Sequence, residues 1–233
     1  MKLGILFLHG YTGGRYELLP LIEYLSERYD FMLEAPEYPG HGSLLLLKGT
    51  DEDMWFEKAK QSYELLSKKV DKIVIVGFSM GGIIAGLLSK IHPPDKLVLI
   101  APAYENVNIK YLAKNPYRFI NNMRYADVKI LEMILLRTIR INFESFLSFK
   151  KLQQRALYIP EQIVSPTLII HGTIDGLVPI EKSRQLVKRM KHAKLVEVDR
   201  GPHEICISKV NKTVFYEVEK FIFKNKKNIL KLG

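Results

Sequence analysis

Apolar positions along the chain fall into two rhythms. Leu3–Leu8, Lys72–Val76, Lys96–Ala101 and Pro166–Ile170 carry near-continuous apolar runs too short for helices, which predicts strands buried on both faces. Asp30–Ala35 and Lys194–Val198 read as shorter strands. Between them the spacing changes to three and four. From Arg15 to Tyr29, Tyr16, Leu18, Leu19, Leu21, Ile22 and Leu25 share one helical face, with Glu17, Glu23, Ser26, Glu27 and Arg28 on the other. Asp51–Lys69 buries Trp55, Phe56, Ala59, Tyr63 and Leu66, with Thr50 and Asp51 as candidate caps. Further helices are expected from Gly82 to about Lys90, ended by His92-Pro93-Pro94, from Ile180 to Met190, and from about Ile205 into the C-terminal end. Strands alternating with helices through short connections predict an α/β fold. Its centre is a mostly parallel sheet of about six to seven strands, with ligands at the strands' carboxyl ends.

The alternation stops between Tyr104 and about Pro160. No strand signal appears there. Helix-like stretches occur around Tyr117–Tyr125 and Val128–Arg140, and large apolar groups recur, among them Phe143, Phe146 and Phe149. The division expected is therefore a core made of residues 1–103 and 161–233, and an inserted helical segment, 104–160. The segment is too long for a structureless loop and follows a strand whose carboxyl end faces the site, which favours a lid over a side appendage.

Composition narrows the function classes. Apolar residues at 47% and charged at 26% suit a soluble globular protein. No apolar stretch reaches the ~18 residues of a membrane span, and Met1–Leu8 reads as a strand rather than a secretory signal, because His9-Gly10 interrupts it. Cys206 is the single cysteine, which excludes an internal disulfide and fits a cytoplasmic location. The net charge is +10, and the inserted segment holds ten basic against four acidic residues. Nucleic acid is not implied, since no basic stripe sits within a reading motif. Lys220, Lys224, Lys226, Lys227 and Lys231 read as a solvated helix end; weak attraction to an anionic lipid surface is the rival. Nothing points to an oligomeric state.

The candidate chemistry centres on Gly77-Phe78-Ser79-Met80-Gly81-Gly82, directly after a predicted strand and before a predicted helix. This G-x-S-x-G pattern is that of a nucleophile elbow; the bland alternative is a glycine-rich turn whose serine caps the helix. A serine hydroxyl needs an imidazole to take its proton and a carboxylate to hold that imidazole's tautomer. Asp175, after the Pro166–Ile170 strand, and His203, after the last strand, follow Ser79 in the order serine, acid, histidine. Asp175 could be only the first residue of an Asp-Gly turn, and His203 an unpartnered loop histidine. His9 and His171 end strands, His41 lies in a turn, and His92 and His192 end helices, so they compete less well. Oxyanion donors are expected from the main-chain N–H of Met80 and, in the loop after the first strand, of Tyr11. No metal is implied, as the histidines lack ligand spacing and Cys206 is alone.

Together with Leu8-His9-Gly10-Tyr11-Thr12-Gly13, Tyr38-Pro39-Gly40-His41-Gly42, Asp53-Met54-Trp55, Ser165-Pro166-Thr167, His171-Gly172-Thr173-Ile174-Asp175 and Gly201-Pro202-His203, these motifs resemble those of the α/β-hydrolases. Within that family the chain is similar to small bacterial carboxylesterases and monoacylglycerol lipases. The resemblance implies hydrolysis of short- to medium-chain acyl esters or monoacylglycerols, a cap over the pocket and no cofactor. It carries nucleophile, acid and base onto Ser79, Asp175 and His203, and the oxyanion donors onto Tyr11 and Met80. There are two departures: a first strand only a few residues from Met1, which implies a smaller sheet, and Pro202, where a glycine is more usual. A thioester, an amide or a carbon–carbon bond beside a carbonyl would suit the same triad, and a binding module without catalysis is the reading from another class.

Overall fold

A buried parallel strand hydrogen-bonds on both edges and needs apolar groups on both faces, and four of the runs above meet that requirement. The computed structural model describes residues 1–105, 107–108 and 142–224. The helix-like stretches expected at 117–125 and 128–140, and the lysines beyond 224, lie outside these residues. The strands are β1 (Leu3–Leu8), β2 (Met32–Glu34), β3 (Lys72–Phe78), β4 (Lys96–Ile100), β5 (Thr167–Gly172) and β6 (Ala193–Val198). Among the described residues they form one six-stranded sheet, ordered β2-β1-β3-β4-β5-β6, with every neighbouring pair parallel.

Side chains alternate across the sheet and sort into two cores. Leu6, Leu8, Ile75, Leu97, Leu99 and Ile169 face one side, where α2 (Glu52–Ser67), α3 (Met80–Ile91), α4 (Phe143–Arg155) and α5 (Ile180–Arg189) cover them; Trp55 is fully buried here. Ile5, Phe7, Val74, Val76, Val98, Ile100, Leu168 and Ile170 face the other, under α1 (Leu19–Ser26) and α6 (Asn211–Phe223). The register Ile5↔Val74 and Leu99↔Ile169 keeps like faces together, as a slip of one residue would not.

Local chemistry adjusts several boundaries. Asp51 caps α2, its carboxylate accepting the Met54 N–H at 2.9 Å. The first helical region is broken: Arg15–Glu17 is a 3-10 turn, and α1 starts only at Leu19 with Pro20 in its first turn. Proline has no N–H to give the turn before it, so the helix restarts there. Glu17 is thereby freed from the polar stripe expected of it and is buried. The final helix likewise starts late, at Asn211, after a 3-10 turn at Ile205–Ile207. Within the inserted segment, α4 is a helix that the pattern had not singled out; Asn142 caps it, accepting Ser145 N–H at 2.7 Å, and Phe149 and Leu152 are buried against the core.

The strand order reverses at β1, with β2 on one side and β3 on the other. At such a point the loops leaving adjacent strands diverge and open a crevice at the carboxyl edge. The loops that follow β1 and β3 carry Tyr11 and Ser79.

Candidate active site

Ser79 joins β3 to α3 at φ 52°, ψ −115°, a conformation that L-residues rarely hold. Flanking glycines permit it. A Cβ on Gly77 would stand 2.3 Å from the Gly81 carbonyl oxygen, and one on Gly81 would stand 2.0 Å from that of Leu8. The strained turn is tied down by neighbouring backbone: Ser79 N–H donates to Ile100 O at 2.9 Å, and Ser79 O accepts from Gly82 at 3.0 Å and Ala103 at 3.2 Å.

His203 reaches Ser79 because the loops after β5 and β6 are laced together. Thr173 N–H donates to Val198 O, Ile174 N–H to Gly201 O, and Arg200 N–H to the Thr173 hydroxyl. Gly172 and Gly201 meet so closely that a Cβ on the first would fall 2.0 Å from the oxygen of the second. This brings His203 Nδ1 to 2.7 Å from Asp175 Oδ2 and His203 Nε2 to 2.9 Å from Ser79 Oγ. The carboxylate can only accept, so Nδ1 carries the proton and Nε2 is left to accept from the serine hydroxyl. Ser79, Asp175 and His203 are all buried.

The acid is held from three further directions. Its Oδ1 accepts the N–H groups of Leu177 at 2.9 Å and Val178 at 2.8 Å, while His171 Nε2 lies 3.0 Å from Oδ2. Burial alone would raise the Asp175 pKa; the positive charge available on His203 and the hydrogen bonds from His171 and His203 outweigh it and hold the carboxyl well below the usual range. Burial pulls His203 down, but the adjacent Asp175 carboxylate overcomes this and its pKa is pushed up to about 8.

Of the two expected oxyanion donors, Met80 follows this serine in the chain, and Tyr11 lies in the loop after β1, whose Leu8 and His9 carbonyls pack on Gly81. Met80 is the first residue of α3, where a helix leaves its N–H groups without intrahelical acceptors. Tyr11 follows β1, and among the described residues no acceptor takes its N–H or that of Met80. The Tyr11 side chain points elsewhere: its hydroxyl donates to Ser145 Oγ at 2.7 Å, since that serine already donates to Asn142 O, and its ring stacks on Phe149 at 5.0 Å. α4 therefore rests directly on the loop after β1.

Three of the remaining histidines are engaged in other work. His9 accepts the Tyr38 N–H at 3.2 Å and donates to Gly10 O at 2.9 Å, joining two loops. His171 donates through Nε2 to Val178 O and Asp175, and accepts at Nδ1 from Ser183. His92 stacks on Tyr63. Among the described residues no group of three His, Cys, Asp or Glu side chains is placed to hold a metal ion, and no helix is long and apolar enough to cross a membrane. Two residues that touch this site escape the sequence pattern. His171 reads as a strand end, although its i,i+4 relation to Asp175 is visible in the sequence. Glu17 reads as solvent-facing, although Pro20 signals that the helix begins after it.

Comparisons with known proteins bear on the family and the fold. A profile of the family described as "Serine aminopeptidase, S33" matches residues 2–209. A carboxylesterase of Bacillus subtilis (strain 168) is 23% identical over 94% of this chain and 92% of its own length. A thermostable monoacylglycerol lipase of Bacillus sp. (strain H-257) is 27% identical over 76% of this chain and 72% of that protein. Among solved structures, one from work on the metagenome-derived lipolytic enzymes LipS and LipT superposes with TM-score 0.77 at 18% identity, covering 96% of this chain and 94% of that one. The monoacylglycerol lipase of Paleococcus ferrophilus gives 0.71 at 21% identity, covering 93% and 92%. The fold is that of the α/β-hydrolases, and the chain belongs to the serine aminopeptidase family whose profile spans it.

Proposed function

We propose that this chain is a serine carboxylic-ester hydrolase, a carboxylesterase that cleaves short- to medium-chain acyl esters or monoacylglycerols through an acyl-enzyme on Ser79. The observation that carries it is the unbroken hydrogen-bonded series Ser79 Oγ, His203, Asp175 on a strained elbow. In the first half-reaction Ser79 Oγ attacks the acyl carbonyl while His203 Nε2 takes its proton. The oxygen that becomes negative is received by the N–H groups of Met80 and Tyr11, donors worth roughly 3–4 kcal/mol each in the transition state. The tetrahedral adduct then expels the alcohol, which leaves with the proton from His203. Water repeats the sequence against the acyl-enzyme and frees the acid.

Residues 104–160 are taken as the cap, of which α4 leans on the loop that carries Tyr11. An ester is preferred to the amide that the family description suggests because a carboxylesterase and a monoacylglycerol lipase are among the relatives that match the chain. The lone Cys206 is buried, in keeping with a cytoplasmic location. The basic excess supports weak contact with anionic lipid, which would vanish at high salt.

A p-nitrophenyl ester panel from short to long acyl chains, run beside fluorophosphonate labelling of the wild type and Ser79→Ala, tests the reading. Expected are ester turnover and a labelled wild type, both abolished by the substitution. A wild type that neither turns over esters nor labels would overturn it, and turnover of aminoacyl nitroanilides in preference to esters would move the assignment to amides.

A further inference from the structure

Burying a carboxyl group is costly unless something holds it, and Glu17, in the 3-10 turn after β1, is only 4% exposed. Its Oε2 accepts the N–H of Gly10 at 2.8 Å. A Cβ on Gly13 would fall 2.0 Å from that same oxygen and 2.2 Å from the carboxyl carbon, and one on Gly10 would fall 3.2 Å from Oε2. The carboxyl group thus fills the hollow of the Gly10–Gly14 turn, and Gly13 N–H closes the turn onto Gly10 O at 3.2 Å. Gly10 immediately precedes Tyr11, whose N–H is the second oxyanion donor. The orientation of the Gly10–Tyr11 peptide sets where that N–H points, and a misplacement of about 1 Å in such a group is worth roughly a hundredfold in rate.

We infer that Glu17 is a positioning residue for the hydrolysis: its carboxyl group anchors Gly10 from inside the loop and so keeps the Tyr11 N–H in place for the oxyanion. The inference rests on the ester-hydrolase reading above. Glu17 also bears on the base. His203, Glu204, Cys206 and Tyr38 are the titratable groups that sense it or are sensed by it, and a negative charge on Glu17 favours the protonated imidazole of His203. Burial is the main cause that pushes the Glu17 pKa up to about 8, against the Gly10 hydrogen bond that lowers it.

The experiment compares wild type, Glu17→Gln and Glu17→Leu by kcat and KM on p-nitrophenyl acetate, by rate of fluorophosphonate labelling, and by the pH profile of kcat/KM. Glutamine keeps an acceptor for Gly10 and leucine does not. Expected in Glu17→Leu is a fall in kcat and labelling rate of roughly 10- to 100-fold with KM within about 3-fold. Expected in Glu17→Gln is recovery of most of that loss, with the acid limb of the profile moved to lower pH. Equal rates for all three proteins would overturn the inference while leaving the ester-hydrolase reading intact. So would a leucine variant whose loss matches its loss of folded protein by circular dichroism. If the leucine variant does not fold, Glu17→Ser, too short to reach Gly10, decides: kcat and labelling rate equal to wild type overturn the inference, and a fall that Glu17→Gln does not show supports it. A wild type without labelling or turnover overturns the reading itself.

Discussion

His171 Nε2 lies 3.0 Å from Asp175 Oδ2, the same carboxylate oxygen that His203 approaches at 2.7 Å. Two imidazoles therefore share one acceptor, and His171, completely buried, is fixed by Ser183 and Val178 on its other contacts. Its removal would take one donor from Asp175 Oδ2 and leave Val178 O without the imidazole N–H. His171→Ala is expected to lower kcat about tenfold and stability by about 1–3 kcal/mol, the cost of unmade buried hydrogen bonds. Urea titration and ester kinetics check this, and unchanged kcat would show that Leu177 and Val178 N–H suffice to orient the acid.

Members of a triad act as a unit, so their losses do not add. Ser79→Ala and His203→Ala should each lower kcat by about 10⁶-fold, and Asp175→Asn by about 10⁴-fold, since the amide favours the wrong imidazole tautomer. The double variant Ser79→Ala/His203→Ala should be no slower than either single one. A double variant slower by the product of the two would refute the hydrogen-bonded series as one device.

The elbow's glycines are steric requirements rather than hinges. Gly77→Ala would set a methyl 2.3 Å from Gly81 O, and Gly81→Ala would set one 2.0 Å from Leu8 O, both against backbone that cannot rotate away. Each should cost about 3 kcal/mol or more, in the tail of single-substitution effects. Thermal denaturation of the folded variants, or failure to recover them, checks it; a loss under about 1 kcal/mol would mean that the turn can relax.

Most of the site was legible because its groups sit at strand ends, and strands are marked by uninterrupted apolar runs such as Ile73–Val76 and Leu97–Ile100. Once those runs were placed, chain order carried Ser79, Asp175 and His203 to one edge. What escaped depended on tertiary packing. Glu17 alternates like a surface acid, and only the restart of the helix at Leu19 turns it inward. His171 reads as a strand residue because it is one, the fifth of β5. The helix Phe143–Arg155 was hidden in a segment whose apolar residues showed no clean face until Phe149 and Leu152 had a core to meet.

The pH dependence of activity should be set by His203. The base must be neutral to accept the serine proton, and the Asp175 carboxylate holds the imidazole pKa up at about 8 despite burial, with Glu204 and Glu17 adding to it. kcat/KM should therefore fall about tenfold per unit as pH drops below about 8. Stability runs the opposite way. The folded imidazole holds its proton more tightly than the unfolded one, whose pKa is about 6.5. That contribution is fully present below about 6.5 and is lost as pH rises through about 8. Glu17 adds to the same slope, because its raised pKa keeps the folded state protonated where the unfolded chain has already ionised. Asp175 acts at the other end: its lowered pKa stabilises above the ordinary aspartate range and fails as the solution is acidified through its folded value. In Ser79→Ala the imidazole titration can be followed by NMR without turnover. A midpoint near 8 that moves below 6.5 in Ser79→Ala/Asp175→Asn is the expected result. A midpoint already below 6.5 with Asp175 intact would show that burial, not the carboxylate, governs this histidine.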